Sequence, residues 1–481
     1  MADPKVKCED GYLTVFFSLI LTVMISLCLA LLFGVKRNTG RMEGECITDV
    51  AMNSALAEFH RELLNQYNLF FVDSSYGTSY CSYRNIEEHL MEYAWKNLNA
   101  DGVFMGKAFH NPSGLTLQDI EITGASVACD EGGAVLRRQA VDVMKQQIGL
   151  SYIQQVQNWF QTVEQYGLHT RNLLEEEQKV VKELQKWDET FSEDCLDQAA
   201  TGTTIVAFWK SGVLYYVVDG LEISAQKITP KYYVSGRDRY CGTGMQPGVI
   251  FEDSFIDRLF FQEYILAYTG HYKQEKENGL LSYQTEYILA GGESDAENLE
   301  KVAEKLLVIR GAANMVSLLG DSTKRSAAQA LGTLMAAALM VPELEKLFTA
   351  LLEILWSMAE AIYDVAHLFR GKRIPLIKQD TDWYYSLEGL FSGVFLKSWK
   401  DEADGDPGKG LSYEDYLGIL LCLENEETIT YRLMDIMEMD IRQTPGNQYF
   451  RMDGCVDGFR ALFTYKDGNG DLLEIERNYG Y

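Results

Sequence analysis

The chain has 481 residues, 47% of them hydrophobic and 23% charged, and its 43 Lys and Arg against 70 Asp and Glu leave a formal net charge of −27. This balance excludes a small disulfide scaffold, a disordered acidic tail and a polytopic carrier, and it bounds the chain to about two to four domains' worth of core, since single cores stop growing near ~250–300 residues. A pI near 4.7, with no Lys/Arg stripe interleaved with aromatics, repels phosphate backbones, so no nucleic acid partner is expected.

In chain order, a short tail (1–11) precedes residues 12–34, YLTVFFSLILTVMISLCLALLFG, 23 residues without a charge. As a helix this run crosses a hydrocarbon core of about 30 Å. A cleaved signal peptide has an apolar core of about 7–15 residues, so a retained anchor in the plasma membrane is predicted, touching lipid through 12–34. Lys5 and Lys7 before the span and Lys36, Arg37 and Arg41 after it do not decide the orientation. The 447 residues that follow Gly34 hold 41 basic and 67 acidic side chains, net −26, on one side of the membrane.

Residues 41–67 keep helical spacing through Met42, Cys46, Val50, Ala51, Ala55 and Phe59 without a proline. One helix is therefore predicted from the membrane to the turn formers at 73–77, with 69–72 continuing it. Residues 114–128 alternate apolar and polar and read as a strand, completing a first region over 35–130. From 133 to 188 the period is helical beside a Glu/Lys/Gln face, either a hairpin or a projecting arm. Together with the mixed stretch 201–248 it fills a region over 131–290.

A helical domain follows over 291–442, with helices at 295–319, 322–340 and 343–369. Pro342 opens the third and Gly371 closes it. Residues 326–340 are apolar but too short to span a membrane, and read as a buried helix. Ser412-Tyr413-Glu414-Asp415 is a capping box opening a last helix, broken near 424–427 and ending near Arg442, with Leu411 and Tyr416 placed as its hydrophobic staple. Strands are predicted at 448–452, 458–465 and 472–478 in the C-terminal region 443–481, the last two joined by a turn at 466–471. The fold class is thus α+β and mostly helical: an anchor running into a long helix, a small antiparallel sheet pairing 114–128 with the strands of 448–478, and large helical insertions.

No motif supports catalysis. Asp73-Ser74-Ser75-Tyr76-Gly77 has only part of an Asp-x-Ser-x-Ser metal site, and Asp467-Gly468-Asn469-Gly470-Asp471 starts like a calcium loop but has Leu472 and Asn478 where glycine and glutamate are needed. Residues 405–410 resemble a phosphate loop in composition alone, so no nucleotide is expected. The six histidines show no paired spacing, and no Gly-x-Ser-x-Gly elbow is present. No catalytic, cofactor or metal residues are assigned. Cys46, Cys81, Cys129, Cys195, Cys241, Cys422 and Cys455 are an odd set without Cys-x-x-Cys, which leaves disulfides and free thiols both open. Glu360, Asp364 and His367 share an apolar helix face, and a buried structural polar cluster with Arg310 and Asn314 is predicted there.

Three blocks carry a resemblance: 11–21 with its helix onward to 65–73 (NQYNLFFVD), 286–299 (EYILAGGESDAENL), and 356–364 (WSMAEAIYD) leading to 371–378 (GKRIPLIK). They resemble an uncharacterised single-pass membrane protein family of Gram-positive bacteria associated with Tad/Flp pilus loci, with a TadE/TadG-like N-terminus. The resemblance implies an extracytoplasmic body and a non-enzymatic, minor pseudopilin-like role in a pilus or secretion machine, with other subunits as partners. It also implies leader processing after Gly11, although the fifth residue beyond is Phe16 where such leaders carry Glu. The rival classes are an anchored adhesion module, favoured by a broad exposed aromatic patch, and an anchored hydrolase, favoured by a pocket joining a nucleophile to a histidine.

Overall fold

The uncharged run and the polar residues after it form one 47-residue helix, α1 (Asp10–Leu56). The structure, a computed structural model, describes residues 10–99, 102–104, 107–109, 114–186, 205–206, 214–217, 222–244, 254–276, 279–391 and 408–481. Gly11 lies in the first turn of α1, and the tail before Asp10 falls outside the described residues. From Tyr12 to Thr39 every α1 residue is exposed. The hydroxyls of Ser18, Thr22 and Ser26 donate to the carbonyls of Val15, Ser18 and Thr22 at 2.7–2.9 Å, so these side chains bring no unsatisfied polar group to an apolar surrounding. Among the described residues α1 is the one helix long and apolar enough to cross a membrane, as an anchor or a signal sequence.

Further along, Gly40, Gly44, Ile47, Thr48, Ala51, Met52 and Ala55 are buried, a helical stripe of small residues that brings the backbone close to a sheet. A Cβ on Gly44 would stand 3.0 Å from Ile475 Cδ1, and Thr48 Oγ1 meets Tyr465 Oη at 2.9 Å. The helix does not continue to Tyr67. It stops at Leu56, and α2 (Arg61–Tyr67) starts anew with the His60 ring accepting from Leu63 N and ends on Asn68 in the left-handed region. Residues 69–72 therefore leave the helix. Gln139 brackets Phe70 through both its backbone groups, and β1 (Val72–Asp73) joins a sheet edge.

After α3 (Tyr83–Leu98) and the small hairpin β2 (Gly102–Phe104) and β3 (Lys107–Phe109), the long strand β4 (Thr116–Val127) leads into the helices. Helices α4 (Asp130–Gln147), α5 (Leu150–Gln165) and α6 (Leu173–Gln185) follow. They do not project as an arm: Val163, Leu168 and Leu173 are fully buried. Trp187 and Asp188, the end of that predicted stretch, lie outside the described residues.

Next come α7 (Phe255–Tyr268), α8 (Gln284–Ala290), α9 (Asp295–Gly320), α10 (Ser322–Ala338) and α11 (Glu345–Phe369). Pro342 begins a 3₁₀ turn before α11 and Gly371 follows its end. Contrary to the sequence expectation, α10 is mostly exposed: it touches α11 along Ala328, Gly332 and Ala336, while Leu334, and Met340 just past its end, face outward. The contact at Gly332 is close, since a Cβ there would lie 2.9 Å from Thr349 N and closer still to its hydroxyl. Gly332→Leu is expected to pry the two helices apart and cost about 1–3 kcal/mol. Urea unfolding of the detergent-solubilised full chain measures this, and an unchanged midpoint would contradict it.

The capping box forms at α12 (Tyr413–Leu423): Asp415 N donates to Ser412 Oγ and Ser412 N to Asp415 Oδ2. The break at 424–425 precedes α13 (Glu426–Arg442). The strand predicted at 448–452 is absent. There the Phe450 carbonyl accepts from Arg442 Nε at 2.7 Å and its N–H goes to Asn447 O, which uses both backbone groups in a turn.

The last strands, β5 (Cys455–Lys466) and β6 (Leu472–Gly480), form an antiparallel hairpin. β5 is central, with β4 along one edge and β1 and β6 along the other. The face toward α1 and α3 encloses one core with Phe459, Phe463 and Ile475. The chain between β4 and β5 builds a second, larger core around Met358, Leu420 and Met437.

Candidate functional site

Two buried polar centres hold irregular chain against helices. The first lies where α9 crosses α11. Arg310, Asn314, Glu360 and Asp364 are fully buried. Arg310 donates to Asp364 Oδ2 at 2.8 Å, to Asn314 Oδ1 at 2.9 Å, to Tyr416 Oη at 2.9 Å, and to the carbonyls of Pro375 and Leu376. Lys378, missed by the sequence reading, lies 2.5 Å from both Glu360 Oε1 and Asp364 Oδ1. The backbone N–H groups of Tyr384 and Tyr385 complete the shell of Glu360 at 2.9 and 3.1 Å.

Burial alone would raise the Asp364 pKa, but Lys378 and Arg310 outweigh it and hold the carboxyl below its ordinary value. For Glu360 burial dominates and the group sits above its ordinary value, despite Lys378. His367, on the same helix, packs on its neighbour one turn back. Its ring stacks on Tyr363 at 3.8 Å and its Nδ1 lies 2.9 Å from the Tyr363 carbonyl.

The second centre is the buried face of α13, and nothing in the sequence reading singled it out. Asp435, Glu438 and, from the turn before β5, Asp453 are fully buried. They grip the strap 222–244. Ser235 donates to Asp435 through both N–H and hydroxyl, Arg237 reaches Glu438 and Asp453 at 2.5 Å each, and Tyr240 N donates to Asp453 at 3.0 Å. Tyr287 Oη also donates to Asp435, at 2.7 Å. Burial pushes Asp435 up to about 7. Asp453 is held below its ordinary value because Arg451 and Arg237 together outweigh burial. The available signal was three carboxylates, Asp435, Glu438 and Asp440, set in the apolar run 433–441.

A third group contains Glu286, which accepts from Tyr413 Oη at 2.7 Å and Tyr272 N at 2.9 Å. Burial pushes Glu286 up to about 7, and burial with the nearby Lys273 pushes His271 down to about 4. Among the described residues, Glu286 Oε2 and His271 Nε2 are both buried without a hydrogen-bond partner.

The remaining sequence candidates are closed locally. Asp73 accepts from the N–H and hydroxyl of Ser75 at 2.8 Å, and Asp467 from the N–H groups of Asn469 and Asp471, so both loops spend these oxygens on their own turns. Among the described residues no three His, Cys, Asp or Glu side chains converge as metal ligands. Cys46, Cys81, Cys129, Cys241, Cys422 and Cys455 are free thiols, and Cys195 lies outside the described residues, as do residues 405–407 of the loop at 405–410. Cys81 and Cys241 border one cavity of about 230 Å³ with Asp453. A wider polar groove of about 730 Å³ runs between α10 and α11 past Arg325, Glu343 and Glu353.

These centres neutralise buried charge and fix loops, within a helical body that carries a small antiparallel sheet and a long apolar N-terminal helix. A family model described as a family of unknown function, DUF5702, matches residues 196–467. That is more than half of the chain, which belongs to this family. The matched region contains both polar centres. No curated protein and no solved structure matches the chain.

Proposed function

We propose that the protein is a non-enzymatic, membrane-anchored assembly component with an extracytoplasmic head, serving a Tad/Flp-type pilus or secretion machine in a minor pseudopilin-like role. The observation that carries this reading is α1, bare and apolar along 12–35 and packed by its other half against an antiparallel sheet. A helix of that form offers its bare half for lateral packing against similar helices within a bilayer, while its packed half holds the head at a set orientation. The resemblance of the leader and the 286–299 and 356–378 blocks supports the pilus assignment. The polar centres support a structural role, because their charges face one another and the segments they fix. Photo-crosslinking from the bare face of α1, in cells that assemble the pilus, is expected to capture pilus or secretion subunits. Failure to capture any such component would overturn the reading.

A further inference from the structure

The junction of span and head has a geometry of its own. The uncharged run ends at Val35, and Gly40 is the first buried residue of α1. At 1.5 Å per residue the two are about 8 Å apart along the axis, while the headgroup layer on each side of a bilayer is about 5–8 Å deep. The head therefore begins at the membrane surface with no spacer.

β6 fixes what lies there. Its side chains follow α1 in the same direction: Leu473 and Ile475 lie at Gly44, Arg477 and Tyr479 bond Asp49 at 2.8 and 3.2 Å, and Tyr481 Oη donates to the Leu56 carbonyl. Followed back toward the membrane, the strand leads to the β5–β6 turn. Asp467 and Asp471 of that turn, with Leu472 beside it, share a cavity of about 210 Å³ with Lys36, Arg37 and Arg41. Leu472, the first residue of β6 and paired with Lys466 beside the turn, is 65% exposed. Arg41 is engaged by Glu45 at 3.0 Å. Asp467 feels the charge of Lys36, but its Oδ1 already accepts two N–H groups of its own turn.

We propose that the β5–β6 tip is a second contact of the head with the bilayer that holds the span, Leu472 entering the interfacial layer while Lys36 and Arg37 engage lipid phosphates. The partner is the headgroup layer of that membrane. An apolar side chain beside cations is the composition that partitions to this layer. The inference rests on the anchor reading, and its test separates the two.

The full chain is reconstituted in phosphatidylcholine–phosphatidylglycerol vesicles with the photoreactive residue p-benzoylphenylalanine at one of three positions, replacing Phe17, Leu472 or Asn478. Lipid adducts are then quantified by mass spectrometry. Adducts at 472 are expected to exceed those at 478 by at least about fivefold, since about 20 Å of strand separates the two, and Lys36→Gln with Arg37→Gln is expected to reduce them. Protein that floats with the vesicles and forms adducts at 17, yet gives equal yields at 472 and 478, overturns the inference and leaves the anchor intact. Protein that neither floats nor forms adducts at 17 overturns the anchor as well.

Discussion

Lys378→Met is expected to be among the most destabilising single substitutions in the chain, at about 3–5 kcal/mol, the range for removing one partner of a buried ionic contact. Among the described residues Lys378 is the one cation shared by Glu360 and Asp364, which are one turn apart on α11 and fully buried. Without it, Glu360 keeps the N–H groups of Tyr384 and Tyr385, and Asp364 keeps Arg310 and Asn314. Those bonds do not balance two negative charges in an apolar surrounding. The double variant Lys378→Met with Glu360→Gln is expected to recover part of the loss, because both the cation and the carboxylate it served are gone. Urea unfolding of the detergent-solubilised chain measures both variants. A single variant within about 1 kcal/mol of wild type would mean that the contact contributes little to holding 372–385 on the helices.

Stability is also expected to fall as pH rises from about 5 to about 8.5. Burial raises Glu263, which lies on α7 and accepts from Gln262 Nε2, together with Glu286 and Asp435, to about 7 each, far above their unfolded values near ~4. The folded state therefore binds their protons more tightly than the unfolded state. That stabilisation is complete below the unfolded values and is lost as pH rises through about 7. Each unit of displacement is worth about 1.4 kcal/mol, so three groups place the change on the order of several kcal/mol. Asp364, Asp453 and His271 act in the opposite sense: the two carboxyls lose their stabilisation at low pH, and His271, held neutral by burial down to about 4, costs stability as pH falls below its unfolded value near ~6.5 and so offsets part of the change on the acidic side. Unfolding midpoints across this pH series are expected to be highest on the acidic side of neutrality. Asp435→Asn should flatten the alkaline slope, and a slope unchanged by that substitution would remove Asp435 as a cause.

What the sequence made legible follows from periodicity and from charge placed against it. The long apolar helix needed only the uncharged run, and β5 and β6 showed alternation around a turn of Asp, Gly and Asn. Arg310, Asn314 and Asp364 stood out because polar residues interrupt apolar helical faces at matching spacing. Lys378 did not, since it belongs to an irregular loop whose position only the fold determines. The strap 222–244 has no period of its own, being shaped by bonds to Asp435, Glu438 and Asp453. The break after Leu56 was hidden because residues 57–60 keep helical composition. It is imposed by backbone bonds farther on, such as His60 N to the Phe71 carbonyl.

The continuity of α1 also has a mechanical consequence. Because β6 runs alongside α1, a pull on the bare half of α1 along the helix axis loads their shared face in shear, with the side-chain contacts from Gly44 to Leu56 bearing it in parallel. The β5–β6 ladder bonds lie across that direction and share the load, so they do not open one at a time. The sheet is thus a lap joint to α1, in which a pull along the helix is spread over many contacts at once instead of being concentrated at one end.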